Sequence, residues 1–205
     1  MSNHVQRLLS VLEVEEAAAS DALRAILHTI LFNRALGAVE PRELALPAFP
    51  ALRVAACLDN ALELTVEDAI AKFYKSLHLV GPDLERGELV LSFYETRKKA
   101  GFLGFGAQKE EKLYWERWII PVIVSRGIAQ TSAETESALR TGLLKILLLA
   151  NDLTHLPRLR GEEDGAIIYK FDLSASPRDA QVGGEAAFLN KMVSKGPPGP
   201  LHFSL

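Results

Sequence analysis

Leu23, Ile26, Leu27, Ile30 and Leu31 recur at three- and four-residue spacing and Gly37 follows them, which predicts an amphipathic helix over roughly residues 14–36. Residues 38–64 carry Pro41, Pro47 and Pro50 and read as an irregular connection ending in a short strand near Leu62 to Val66. Thr65 with Asp68 has the spacing of a capping box. Val66, Ile70, Phe73 and Leu77 then mark one face of a second helix that Gly81-Pro82 ends. Leu89, Leu91 and Phe93 alternate with Val90, Ser92 and Tyr94. Trp118, Ile120, Val122 and Val124 alternate with Arg117, Ile119, Pro121 and Ile123, so two strands are predicted. Pro121 has no N–H for a ladder bond, which predicts a free edge or a bulge at that point.

Thr131 with Glu134 repeats the capping-box spacing, and Leu139, Leu143, Ile146, Leu147, Ala150 and Leu153 continue a helix that ends before Pro157. Leu144, Leu148 and Leu149 make it apolar over most of its circumference, so it is either central or shared with a partner. Ile167, Tyr169, Phe171 and Leu173 alternate with Ile168, Lys170 and Asp172 as a last half-buried strand. This order does not repeat as strand-helix-strand units. It predicts an α+β fold with a mixed or antiparallel sheet and helices on one face.

At 205 residues with 48% hydrophobic side chains, the chain has enough apolar surface for one core, and residues 1–205 are expected to form a single domain. The tail over 183–205, with Gly183-Gly184 and GPPGP at 196–200, is expected to be poorly ordered at its end. A net charge of -3 from 23 basic and 26 acidic residues, with no basic block, argues against a nucleic-acid partner. The single Cys57 excludes an internal disulfide and a multi-cysteine zinc site, and fits the cytoplasm. Glu13, Glu15 and Glu16 interrupt any signal-like start, and the apolar run Leu143 to Ala150, which includes Lys145, is too short to span a bilayer.

Candidate chemistry is sparse. His4, His28, His78, His155 and His202 lie far apart and none has a second ligand at helical i+4 spacing, so neither a metal nor another cofactor is expected. His28, His155 and Cys57 are the residues a small cytosolic enzyme would have to use, and none has an obvious catalytic neighbour. GFLGFG at 101–106 lacks the Lys and Ser/Thr of a phosphate loop, and Glu110-Glu111 beside Lys109 and Lys112 read as a solvated charged turn. What remains is a binding surface. Phe102, Leu103 and Phe105 sit between glycines inside charged flanks, and either fold back onto the core or await a partner. Only Lys98 and Lys99 accompany them, so membrane contact is expected to be at most indirect.

LSFYETRKK (91–99), then the aromatic loop, then YWERWIIPVIV (114–124), resembles the middle of the autophagy-related protein 101 family of HORMA-domain proteins. LRAILHTILFNR (23–34) is similar to that family's first helix. NDLTHLPRL (151–159) and YKFDL (169–173) resemble the end of its last long helix and the strand after it, all in family order over about residues 15–175. The resemblance implies a non-enzymatic HORMA domain, a sheet backed by about three helices in one stable open-like topology. It implies pairing with, and stabilisation of, the HORMA domain of autophagy-related protein 13, membership of the autophagy-initiation kinase complex, and recruitment to the phagophore assembly site. Leu139, Leu143, Leu144 and Leu148 are the candidate pairing residues. The family's Trp-x-Phe finger, which recruits downstream factors, corresponds to the loop at about 98–113; here tryptophan is absent from that loop and Phe102, Leu103 and Phe105 occupy it. A peptide-clasping HORMA switch of the spindle-checkpoint type is the nearest alternative. It would require a C-terminal segment able to re-thread, and the tail from 183 onward is unlike the family.

Overall fold

The computed structural model describes residues 4–37, 39–99, 109–127, 132–157 and 168–176. Its first elements are strands β1 (Val5–Leu8) and β2 (Leu12–Glu15), and they lead directly into helix α1 (Glu16–Phe32). Ala22, Leu23, Ile26, Leu27, Ile30 and Leu31 of α1 are buried, and so are Asp21, His28 and Thr29, so this helix runs through the core. Asn33 closes it by donating its side-chain N–H to the Thr29 carbonyl, and Gly37 reverses the chain at φ 90°, a conformation that favours glycine.

Three sequence expectations fail between residues 38 and 81. Leu62 to Val66 is no strand: it lies inside helix α2 (Asn60–Ser76), which follows the short hairpin β3 (Pro41–Glu43) and β4 (Ala55–Cys57). Leu62 and Val66 are buried but Leu64 is 71% exposed, so the helical period holds and the alternating one does not. The N-cap is Asp59, whose carboxylate accepts from the Ala61 and Leu62 amides, while Thr65 returns its hydroxyl to the Ala61 carbonyl within the helix. The helix also stops at Ser76, before Gly81-Pro82, because His78–Gly81 forms β5.

β6 (Leu84–Lys99) and β7 (Lys109–Ser125) pair antiparallel from Leu84 opposite Ser125 to Lys99 opposite Lys109, with a bulge that leaves Trp115 between the Phe93 and Tyr94 pairings. On one side of this ribbon β5 and then β8 (Phe171–Ser176) pair with β6. On the other side β1 and β2 run parallel to β7. Pro121 is therefore interior to the sheet, and the irregularity it predicted falls on its neighbour. Residues 9–11 break the lane between the pairs Leu8–Ile119 and Leu12–Val122, opposite Pro121. The last strand starts later than its alternation suggests: Ile168 makes a single bridge to Ala35, and the ladder opens at Phe171.

Helix α3 (Ser132–Ala150) ends well before Pro157; Thr131, its expected cap, lies outside the described residues. The result is the expected α+β architecture. Leu89, Leu91 and Phe93 of β6 and Trp118, Ile120, Val122 and Val124 of β7 are buried in one core with α1, α2 and α3. Gly87 belongs to that face, and a Cβ there would stand 2.6 Å from a ring carbon of Phe73 and 2.9 Å from Leu77, so α2 lies too close to the sheet for any side chain.

Candidate functional site

Glu116 has the same strand parity as Trp118 and Ile120, so its carboxylate points into the core, and it is fully buried. A buried carboxylate needs counter-charge and donors. Arg34, just past the end of α1, supplies a two-pronged contact: its Nε lies 2.6 Å from Oε2 and its Nη2 lies 2.7 Å from Oε1. Arg7 of β1 donates from Nε at 2.9 Å, and His155 Nε2 stands 3.1 Å from Oε1. The remaining donors tie in more chain. Arg34 Nη1 bonds the Ala150 carbonyl at the end of α3, and Arg7 Nη2 bonds Asp152 at 3.2 Å.

Arg7, Arg34 and Glu116 are buried, and Asp152, half exposed at the rim, completes the balance of two acids against two arginines. Burial works to raise the Glu116 pKa, but the bonds and charge of Arg34, then the bond from Arg7, outweigh it and hold the carboxyl below its ordinary value. Asp152 is brought down to about 2 by the hydroxyl and amide of Thr154 and then by Arg7. Aromatic packing closes the cluster: the Arg7 guanidinium lies 5.6 Å from the Trp118 ring centre, and Trp115 packs on Phe93, His155 and Tyr169. The groups do not form a nucleophile and base pair; they act as an ionic clamp joining β1, β7, the ends of α1 and α3, and the loop at 151–157.

Sequence reading placed Trp118 in an alternating strand and missed the clamp. Its signal was present: a glutamate between two tryptophans, on the parity of an apolar strand face, cannot reach water. Phe32-Asn33-Arg34, Trp115-Glu116, and Asp152 with His155 come from three of the segments that carry the family resemblance, and they meet here.

The other predicted residues fall in different places. His28 is buried in α1 and its pKa is lowered, first by burial and then by Arg42. The Cys57 thiol is pushed up by burial and then by Asp59, the opposite of nucleophile activation. His155 serves the clamp, and among the described residues no hydrogen bond joins it to His28 or Cys57. Among the described residues no group of three or more His, Cys, Asp or Glu could hold a metal ion, and no helix is long and apolar enough to cross a membrane.

Leu139 and Leu143 of α3 face inward at 1% and 9% exposure, so they build the core; Leu144 and Leu148 stand outward at 56% and 74%, beside exposed Leu147. A partner reaching α3 meets Leu144, Leu147 and Leu148. Leu139 instead lines an apolar groove of about 480 Å³ between α3 and the β1–β2 connection, with Leu9, Val11, Leu12, Ile26 and Ile146. Phe102, Leu103 and Phe105, and the tail over 183–205, lie outside the described residues.

Three helices on one face of a mixed, mostly antiparallel sheet define a HORMA-like α+β domain. The sequence profile for autophagy-related protein 101 matches residues 11–163. Autophagy-related protein 101 of Arabidopsis thaliana is 30% identical over 190 residues, covering 81% of this chain and 84% of that protein. The chain belongs to the autophagy-related protein 101 family, and its role is in autophagy.

Proposed function

We propose that this chain is a non-enzymatic adaptor of the autophagy-initiation kinase complex, which pairs with and stabilises the HORMA domain of autophagy-related protein 13. The observation that carries the reading is the outer face of α3, where Leu144, Leu147 and Leu148 lie exposed on a helix whose end the ionic clamp fixes. Three leucines in one stripe make an apolar contact of the kind a partner domain covers. Family membership supports a partner within the autophagy-initiation complex. The adaptor works in the cytoplasm, is recruited to the phagophore assembly site, and touches membrane only through its partners.

Leu144→Glu with Leu148→Glu tests the pairing. Each leucine desolvated at an interface contributes about 1.5–3 kcal/mol, so the double variant should weaken pairing by roughly a hundredfold or more, while thermal stability is nearly unchanged. Size-exclusion chromatography of the mixed proteins reads the result, and co-elution equal to the wild type would sink the assignment of this face. Phe102, Leu103 and Phe105 would recruit downstream factors as the family's finger does. Phe102→Ala with Phe105→Ala should leave pairing and folding intact and lower recruitment in a pull-down. A loss of several kcal/mol in stability would instead make the two rings core residues.

A further inference from the structure

Leu9, Ser10 and Val11, which connect β1 to β2, stand opposite only Ile120 and Pro121 of β7, so the connection holds one residue more than the ladder takes. Ser10 and Val11 are exposed, and Lys145 of α3 donates from Nζ to Ser10 Oγ at 3.4 Å. Between this connection and α3 runs the groove of about 480 Å³, lined by the buried side chains of Leu12, Ile26, Ile120, Leu139 and Ile146. Its volume falls within the roughly 300–1,000 Å³ of small-molecule sites, which are mostly apolar with a few polar groups that fix orientation.

Glu134, Ala138, Gly142 and Lys145 all line the groove, and their three- and four-residue spacing makes one stripe of α3. Gly142 lies in the helix interior, where glycine is weaker than alanine, yet no close approach demands it. A Cβ there would meet nothing within 4 Å among the described residues. The missing side chain serves no packing in the fold; it leaves the groove open.

Charge sets what fits. Glu134 and Lys145 stand about 16 Å apart along the helix axis, one at each end of the stripe. Lys145 is exposed, and among the described residues no carboxylate pairs with it. An occupant with one anionic head and one apolar chain complements this arrangement. Its head meets Lys145, its chain covers the apolar lining, and Glu134 repels an anion at the far end, which fixes the direction of binding.

We propose that this groove binds a single-chain fatty carboxylate, whose carboxylate accepts from Lys145 Nζ and the Ser10 hydroxyl and whose chain runs along α3 toward Glu134. A length of about 16 Å takes roughly twelve extended carbons at a C–C bond length of about 1.5 Å. The inference goes beyond the pairing proposed above and does not rest on it.

Titration calorimetry of the full chain with dodecanoate, below its micelle concentration, tests the site. One dodecanoate should bind per chain. Dodecyltrimethylammonium, with the same chain and the opposite charge, should bind at least about tenfold more weakly, and Lys145→Glu should reverse that order. Gly142→Leu should fill the groove and weaken dodecanoate at least about tenfold while the melting temperature holds or rises, because the new side chain has room and the helix gains. If Gly142→Leu lowers the melting temperature, Lys145→Glu at its exposed position decides the question. No saturable binding, equal affinity for the two head groups, or unchanged dodecanoate binding in Lys145→Glu would overturn the proposal. Pairing through Leu144 and Leu148 is read separately by size-exclusion chromatography, so either reading can fail alone.

Discussion

Glu116→Gln keeps the shape of the side chain and removes its charge, leaving Arg34 buried at 1% exposure with only neutral acceptors, the new amide oxygen and the Asn33 and Ala150 carbonyls. The new amide N–H group must face guanidinium donors that stand 2.6 to 2.9 Å away in the native cluster. Breaking a buried pair from one side costs about 3–5 kcal/mol, a large share of the roughly 5–15 kcal/mol that holds a domain together. With an m-value of about 2 kcal/mol/M, the urea midpoint should fall by roughly 1.5–2.5 M. Trp115 and Trp118 flank the site and supply the fluorescence signal. Glu116→Leu combined with Arg34→Met removes both charges and should recover most of the loss, because the penalty lies in the orphaned charge. The pH dependence follows with a definite sign. The folded-state pKa of Glu116 is depressed, so its contribution is fully present above the ordinary glutamate range of about 4.3 and is lost as pH falls through the lower folded value. Glu116→Gln should therefore flatten the acid limb of the stability curve. A midpoint shift under about 0.5 M, or an unchanged acid limb, would refute the clamp as a stabilising element.

Gly87→Ala places a methyl group 2.6 Å from Phe73 and should cost about 1–3 kcal/mol by urea denaturation; Phe73→Leu in the same chain should recover part of it, and additive losses would speak against the close approach. Asp59→Ala removes the cap of α2 and should cost about 1 kcal/mol, whereas Thr65→Ala, inside the helix, should cost less; the reverse order would restore the capping role to Thr65.

Elements that bury one face against a large core were legible from the sequence. The α1 leucines and isoleucines, and the alternation of Leu89, Leu91 and Phe93 opposite Trp118, Ile120 and Val122, carry their own period because one side of each element lies in a single environment. The family resemblance was legible as well, through segments that meet at Glu116. Short strands were not. β1 exists because Val5 to Leu8 find Glu116 to Ile119, more than about a hundred residues away, and no local pattern of four residues encodes such a pairing. Leu62 to Val66 fails for the opposite reason: a five-residue alternation is too short to outweigh a cap at Asp59 and a core that takes Leu62, Val66, Ile70 and Phe73. On α3 the sequence made nearly every side apolar, and packing against α1 and β2 alone chose Leu139, Leu143 and Ile146 for the core and left Leu144 and Leu148 in water. The ionic clamp depends most on tertiary structure. Arg7, Arg34 and Glu116 are three scattered charges until the fold excludes water around them, and only then does each require the others.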